Sequence, residues 1–448
     1  MHRKAGRIMA HKHVEFANYP KFGVLSSLKV VVTAANVAGP FTGCLMAEAG
    51  AKVIHIEPPK APTQTRSGYT HAQEHRNMYG VSLDVRGEHG RVVFEKLIEW
   101  ADVWIEAGRA GSYARMGFSD EHMWEINKKL AIVHISGFGQ YGPYKDRSSY
   151  DVSGQAMSGY MYLNGTSPTS SPLKVNPFLS DYATAFNAAV AALGIVINAR
   201  ETGEGDAVDI SQYETMFRML SNYPIEWFNI GYPAPGEPVK WRTGNSSDQA
   251  SGFSFYDCKD GTIFIGMVGE AAKRGHPIVG LPVPGTGDPD FPAEFTGGII
   301  SSPIGQRVEA AIKKYCAEHT VDEVEAAMNE AGVTNQRAYT PADIERDPQF
   351  AAREDIITWE DAVLGEIRGI GIVNKYTKNP GQIVASAPTH GEHSREVFEA
   401  MGFSPEFIDE LFAAGESRYM DPRESAIYWR MKEKGFFWKE EQWQRLGL

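Results

Sequence analysis

The chain predicts an α/β fold, a doubly wound domain followed by a smaller α+β domain. Two observations carry this. Through the first ~200 residues, a length that suits one domain, short apolar, β-branched runs alternate with helical segments. Such alternation implies parallel strands joined by right-handed crossovers. After about Tyr223 the texture changes to a hairpin signal and a long Pro- and Gly-rich stretch.

The elements follow in order. Leu28–Thr33 is apolar and β-branched, which suits a buried strand. Ala38-Gly39-Pro40 turns the chain into a helix ending near Gly50. Lys52–Glu57 is a second strand, stopped by Pro58-Pro59, and Val81–Asp84 reads as a short one. Glu88–Ala101 spaces Val93, Leu97 and Trp100 at helical intervals. Val103–Glu106 and Ala131–Ile135 are further strands, and Ala183–Gly194, rich in small apolar residues, reads as a buried helix. In the second part, Phe253–Tyr256 and Thr262–Gly266 flank Asp260-Gly261, a hairpin signature. Residues 281–303 read as a long loop or lid, Arg307–Glu330 as one helix and Pro341–Pro348 as a short helical piece. Apolar residues return at Ile367–Val373, and Ser394–Met401 and Pro405–Ala414 are closing helices. Residues 1–20 look like a loose arm. The tail from Arg418 carries Trp429, Phe436, Phe437, Trp438 and Trp443, which suits packing on a partner subunit.

Composition narrows the function classes. With 448 residues, 42% of them hydrophobic and 22% charged, the chain has core material for a soluble globular protein. A net charge of −12 argues against nucleic acid as the main partner but not against a small anion in a local basic pocket. Cys44, Cys258 and Cys316 are odd in number and far apart, so neither a disulfide framework nor a cysteine metal site is expected. A reducing cytoplasm fits. The first twenty residues lack the apolar core of a secretory signal. The most apolar stretch, 183–199, spans 17 residues including Thr184 and Asn187, and suits a core helix better than a membrane span.

Asp181 is a candidate helix N-cap and a candidate nucleophile. It stands directly before the small-residue helix, where the helix dipole favours an ionised carboxylate. A carboxylate there can attack an activated acyl group, and it also suits helix N-capping. His390 and His393 sit three apart, but no set of cysteines and carboxylates accompanies them, so no metal is expected. The loop after the first strand lacks G-x-G-x-x-G, and Pro40 intrudes, which disfavours a nicotinamide dehydrogenase.

Several segments in order, over residues 22–415, resemble the class III CoA-transferases, the CaiB-BaiF family. They are Ala38-Gly39-Pro40 with Gly50–Glu57, Ala101–Glu106 running to Arg115–Phe118, Ser136–Pro143, Ser180-Asp181-Tyr182, Thr202–Asp206 with Val208–Ser211, and Ala387–Gly391. Lys273–Pro277 through Gly280–Phe291 resembles the bile-acid branch, and Ser136–Gly142 is shared with the carnitine branch. The resemblance implies an interlocked-dimer family fold with a Rossmann-like large domain. The expected division is an arm at 1–20, a large CoA-binding domain at 21–215 completed by 385–415, a linker at 216–240, a small domain at 241–350, a return linker at 351–384 and a tail at 416–448.

The same resemblance implies an acyl-CoA:carboxylate CoA-transferase in which Asp181 carries the acyl group and then CoA. Its partners are acyl-CoA and an acceptor acid, with no tightly bound cofactor, no nucleic acid and no membrane. Ala35, Val37, Ala38, Ala107, Gly108 and Ser136 match CoA-contact positions, and Arg115 matches an arginine that contacts a CoA phosphate. The chain departs from some relatives by carrying Pro58 and Ser136 where they carry a base. Arg76, Arg109, Lys145 and Arg147 are then candidates to compensate. Backbone N–H groups of Ser136–Gln140 are candidate oxyanion donors. Met157, Tyr160, Tyr162, Tyr213 and Met216 suit either an acyl pocket or core packing. A bile-acid-type substrate is the first expectation. A carnitine or betaine substrate, kept open by Trp227 and Trp241, and a thioester hydrolase using the same aspartate are alternatives. A non-catalytic CoA-binding role is disfavoured by Asp181 in its helix-start context.

Overall fold

The computed structural model describes residues 14–62, 65–66, 68–231, 242–246, 250–295, 297–421 and 424. They form two compact units. The first holds the described residues up to Ser158, Asn176–Met219 and those from Pro348 onward. The second holds Gly159–Val175 and the described part of Leu220–Asp347.

Six parallel strands build the first unit: β1 (Lys29–Val32), β2 (Lys52–Glu57), β3 (Met78–Ser82), β4 (Val103–Ala107), β5 (Ala131–Ser136) and β6 (Asp206–Ser211). Their order is β3-β2-β1-β4-β5-β6, the Rossmann arrangement. The chain winds outward from β1 in one direction and from β4 in the other. The loops leaving β1 and β4 therefore part at the carboxyl ends of the strands and open a crevice there.

The central strands are continuous apolar runs because both faces are covered. On one face Val31, Ile54, Trp104 and Ile132 pack with Phe94 and Leu97 of the helix Glu88–Trp100. On the other, Val30, Val32, Val103 and Val133 pack with Ala47 of the helix Ala38–Glu48 and with Ala188, Ala192 and Val196 of the helix Leu179–Thr202.

Several expectations are corrected here. β3 begins at Met78, and Asp84 lies outside it. No strand is expected at β6 from the sequence; among the described residues it is an edge strand paired with β5, and Asp206 and Asp209 interrupt its apolar residues. The chain near its start is not loose from Phe16 onward. The Phe16 ring is buried against Tyr79 and Trp100, and Lys52 Nζ donates to its carbonyl at 2.7 Å. The helix Leu179–Thr202 is buried on one side only, through Ala185, Ala188, Ala192 and Ala199. By length and composition it also passes for a membrane span, yet this alanine side packs on β5 and β6. Its other side exposes Phe186, Val190 and Ile197, at 54%, 71% and 61%. The return segment contains an antiparallel hairpin, β10 (Ile356–Asp361) with β11 (Gly365–Ile370), closed by Asp361 Oδ1 accepting from Val363 and Leu364 N–H at 2.9 Å each.

The second unit holds an antiparallel sheet of β7 (Phe253–Asp257), β8 (Thr262–Gly266) and β9 (Thr334–Arg337), in that order. Ile263 and Ile265 pack against Val308, Ile312, Val324 and Met328. The expected single helix over 307–330 is two, Pro303–Ala317 and Val321–Glu330. The break is a capping box in which Thr320 and Glu323 satisfy one another's backbone N–H. The aromatic tail residues Trp429, Phe436, Phe437, Trp438 and Trp443, and Trp241, lie outside the described residues.

Gly39 lets the helix after β1 sit close to the sheet. A Cβ there would stand 2.1 Å from Ala34 Cβ. Gly39→Val is expected to cost about 1–3 kcal/mol by overpacking. Urea unfolding monitored by circular dichroism checks this, and an unchanged midpoint would sink the close-packing argument.

Candidate active site

The crevice at the strand ends is an open cavity of about 310 Å³. Its floor is Ala35–Ala38 after β1, Ala107–Arg109 at the end of β4 and Ile135–Gly137 at the end of β5. Asn36 adopts a left-handed backbone (φ 66°), which Asn tolerates better than most residues. The wall includes Lys145, Arg147, Ser149, Asp181 and Gln212.

Asp181 is in the first turn of Leu179–Thr202, whose N-cap is Phe178, so Asp181 does not itself cap the helix. The cap comes from outside. Asp151 Oδ1, in the helix Asp151–Met157, accepts from Ser180 N at 2.7 Å and from Asp181 N at 3.3 Å. Asp151 Oδ2 is held by Gln155 Nε2 at 2.7 Å. Two otherwise orphaned helix N–H groups are thus satisfied by a buried carboxylate, and the first turn is pinned.

The side chain of Asp181 accepts through Oδ1 from Gln212 Nε2. Gln212 in turn accepts through Oε1 from Ser149 Oγ at 3.3 Å. Gly137 makes room for Ser149: a Cβ there would lie 1.9 Å from Ser149 Oγ. Next to Asp181, Tyr182 Oη donates to Glu74 Oε1, a carboxyl buried beneath the site.

The electrostatics differ from the sequence expectation. Burial pushes the Asp181 carboxyl up to about 7, the nearby Asp151 charge adds to this, and the Gln212 hydrogen bond opposes it. A helix N-terminus is worth up to about 1 kcal/mol at exposed sites, too little to offset burial beside a like charge. Glu74 is also raised to about 7, by burial first and with a contribution from Asp181, while its bond from Tyr182 opposes the rise.

Seven positions singled out from sequence converge on this cavity: Ala35, Val37, Ala38, Ala107, Gly108, Ser136 and Asp181. Arg115 does not. It is exposed on the short helix Ser112–Arg115, with its guanidinium donating to Ala110 O at 2.8 Å. Arg109, Lys145 and Arg147 do line the cavity. Arg109 donates to Ser148 Oγ at 2.6 Å, and Arg147 stacks on the Tyr144 ring at 3.6 Å. Arg76 is buried against Glu48 and Trp359 and does not line the cavity. Of the loop amides, Gly139 N donates to Ser136 Oγ and Gln140 N to Asp209 Oδ2, so neither faces an incoming oxyanion. None of Met157, Tyr160, Tyr162, Tyr213 and Met216 lines the cavity, and Met216 is in the core. Asp151, Gln212 and Glu74 escaped the sequence reading. They lie 30, 31 and 107 positions from Asp181, and no periodicity joins them.

His390 and His393 make structural hydrogen bonds. His390 Nε2 pairs with Pro58 O at 3.1 Å, and His393 Nδ1 accepts from Gly80 N at 3.0 Å. Among the described residues, no group of three or more His, Cys, Asp or Glu is placed to hold a metal ion.

A Rossmann-ordered sheet with a carboxylate beside a crevice of small residues and cations defines a protein built for an anionic, nucleotide-like ligand. The family model described as CoA-transferase family III matches residues 25–394. The chain belongs to CoA-transferase family III, and it is a CoA-transferase that takes CoA thioesters as substrates. It is similar to the bile acid CoA-transferase BaiK of Clostridium scindens, at 42% identity over 437 residues, 95% of this chain and 98% of BaiK. It is also similar to the solved structure of a CaiB/BaiF family protein from Brucella suis, at 26% identity and a TM-score of 0.73, over 85% of this chain and 100% of that one. Rv3272 from Mycobacterium tuberculosis shares the fold, at 22% identity and a TM-score of 0.72, over 85% of this chain and 100% of that one.

The acid–base prediction follows from burial and from Asp151. Asp181 is neutral below about pH 7 and ionised above it. Asp151→Asn removes the like charge while its amide oxygen can still accept from the helix, so the Asp181 titration is expected to move to lower pH. Carboxyl ¹³C NMR, assigned by difference with Asp181→Asn, reads this directly. A midpoint that stays in place or rises would count against it.

Proposed function

We propose that the chain moves CoA between carboxylic acids through an aspartyl-CoA thioester on Asp181, with a bile-acid-type acid as substrate. The observation that carries the reading is that Asp181 lines one cavity with Ala35, Val37, Ala38, Ala107, Gly108 and Ser136, the positions that match CoA contacts by the resemblance. The similarity to a bile acid CoA-transferase supports the substrate class.

The ionised Asp181 carboxylate attacks the thioester carbonyl of the donor acyl-CoA. The C–S bond breaks, CoA leaves as thiolate, and a mixed anhydride remains on Asp181. The thiolate then attacks the Asp181 Cγ, the donor acid leaves as carboxylate, and an aspartyl-CoA thioester forms. The acceptor acid runs the two steps in reverse. The thioester is exchanged without ATP because its energy stays in covalent form. A serine in place of Asp181 would give a stable ester and could not return CoA at comparable energy.

Arg109, Lys145 and Arg147 supply positive charge at the cavity of a chain with net charge −12. In this reading they hold the CoA phosphates, compensating for Pro58 and Ser136 where some relatives carry a base. The exposed apolar side of Leu179–Thr202 supports a homodimer, with a second copy covering Phe186, Val190 and Ile197.

Asp181→Ala is expected to abolish exchange and leave the folded state intact, and wild-type turnover in it would remove the mechanism. Intact-mass analysis with acyl-CoA alone should find CoA attached to the Asp181 peptide. Free CoA accumulating without an acceptor would favour hydrolysis. A panel of bile acids, betaines and short hydroxy acids as acceptors tests the substrate class, and a preference for betaines would overturn it. Lys145→Ala and Arg147→Ala should each raise KM for acyl-CoA about tenfold, one charge-assisted hydrogen bond in size, with a weaker effect at high salt. Phe186→Asp with Val190→Asp should convert a dimer to a monomer in light scattering. A wild-type monomer would refute the homodimer.

A further inference from the structure

We infer that Gln212 is a catalytic residue, the donor that stabilises the oxyanion formed on Asp181 itself. The inference rests on Asp181 being the nucleophile.

The transfer passes through two kinds of tetrahedral centre. One forms on the substrate's acyl carbon. The other forms on Asp181 Cγ, each time thiolate or carboxylate attacks it. When the thiolate sulfur bonds to Cγ, the C=O π pair moves onto the aspartyl oxygen. When the C=O bond re-forms, the bond from Cγ to the acyl oxygen breaks and the donor acid leaves as carboxylate. No proton is transferred. The charge appears on the aspartate's own oxygen, so its donor must reach Asp181 rather than the substrate.

Gln212 meets this requirement. Its Nε2 donates to Asp181 Oδ1. That bond makes Oδ1 the oxygen that stays with Cγ throughout, and leaves Oδ2 to attack. The amide is oriented from behind, because Ser149 Oγ donates to Gln212 Oε1 at 3.3 Å and so turns the NH₂ group toward Asp181. The side chain is buried, at 7% exposure, and it follows directly on β6, whose last residue Ser211 is 1% exposed. Such a donor is already in place before charge develops, which is the condition for strong electrostatic stabilisation. The loop amides of Gly139 and Gln140 are bound to Ser136 and Asp209 and do not compete for the role.

Gln212→Met keeps the side-chain length and removes the donor. It is expected to lower kcat about 100-fold, the size of one oxyanion donor, with little change in KM for acyl-CoA. A purely ionising role gives a different pH profile. The Gln212 bond lowers the Asp181 pKa, so its loss moves the acid limb upward and would cost nothing at pH 9. A defect that persists at pH 9 supports oxyanion stabilisation, and one that vanishes there overturns it. Gln212→Glu preserves the shape and guards against misfolding. It is expected to be at least as impaired, and full activity in it overturns the proposal. Rapid-quench mass analysis separates this from failure of the nucleophile. A wild-type CoA adduct on Asp181 that forms equally fast in Gln212→Met sinks the role of Gln212 alone, whereas no adduct in the wild type sinks the nucleophile reading itself.

Discussion

The two backbone hydrogen bonds accepted by Asp151 are the constraint on which the site depends. They stop the first turn of Leu179–Thr202 from fraying at the point where Asp181 projects into the cavity. An exposed serine or threonine cap would do the same mechanical work. A buried carboxylate does more, because its charge is felt by Asp181 across a short, poorly screened distance. One side chain therefore pins the position of Asp181 and adds to the proton affinity that burial raises. The consequence is a carboxyl that is ionised at neutral pH only in part. It gains nucleophilicity from the raised proton affinity without being locked into the acid form.

An acidic chain that handles a polyanionic substrate must separate its local field from its overall charge. Here Arg109, Lys145 and Arg147 are clustered at the cavity, while the buried cations Arg66 and Arg76 are paired with Glu57 and Glu48. Buried pairs are costly to break and cannot be lent to a ligand. Cations at the cavity that are held by neutral partners, as Arg109 is by Ser148 and Arg147 by the Tyr144 ring, can exchange those contacts for phosphate.

The sheet was largely legible in the sequence because its central strands are buried on both faces. Val30–Val32, Val103–Ile105 and Ala131–Val133 had to be continuous apolar runs. Legibility failed where burial is one-sided or where a local interaction overrides composition. β6 is an edge strand in which Asp206 and Asp209 interrupt its apolar residues Ala207, Val208 and Ile210. The polar run 307–330 keeps one helical period across a break that only the reciprocal Thr320–Glu323 bonds reveal. In β7, Ser254 and Tyr256 turn inward while Phe253 and Phe255 turn outward, against the usual sense of alternation. Asp181 could be named because it opens a helix, a place with a local signature, whereas the small residues around it were named through the resemblance to the family. Arg115 stands outside the lining of the cavity, because a charge carries no direction in a sequence. Its own backbone neighbour Ala110 claims it.

The sequence alone determined the strand–helix alternation, the doubly wound class and the aspartate at the start of a small-residue helix. These are read from periodicity, burial and turn chemistry, which act between residues close along the chain. Only the tertiary structure decided which carboxylate caps that helix, which amide holds Asp181, which cations reach the cavity and how tightly Asp181 keeps its proton. Asp151 and Gln212 act on Asp181, and Asp181 acts on Glu74, through space across 30, 31 and 107 positions of chain. Distances of that kind exist only after the sheet has brought its strand ends together.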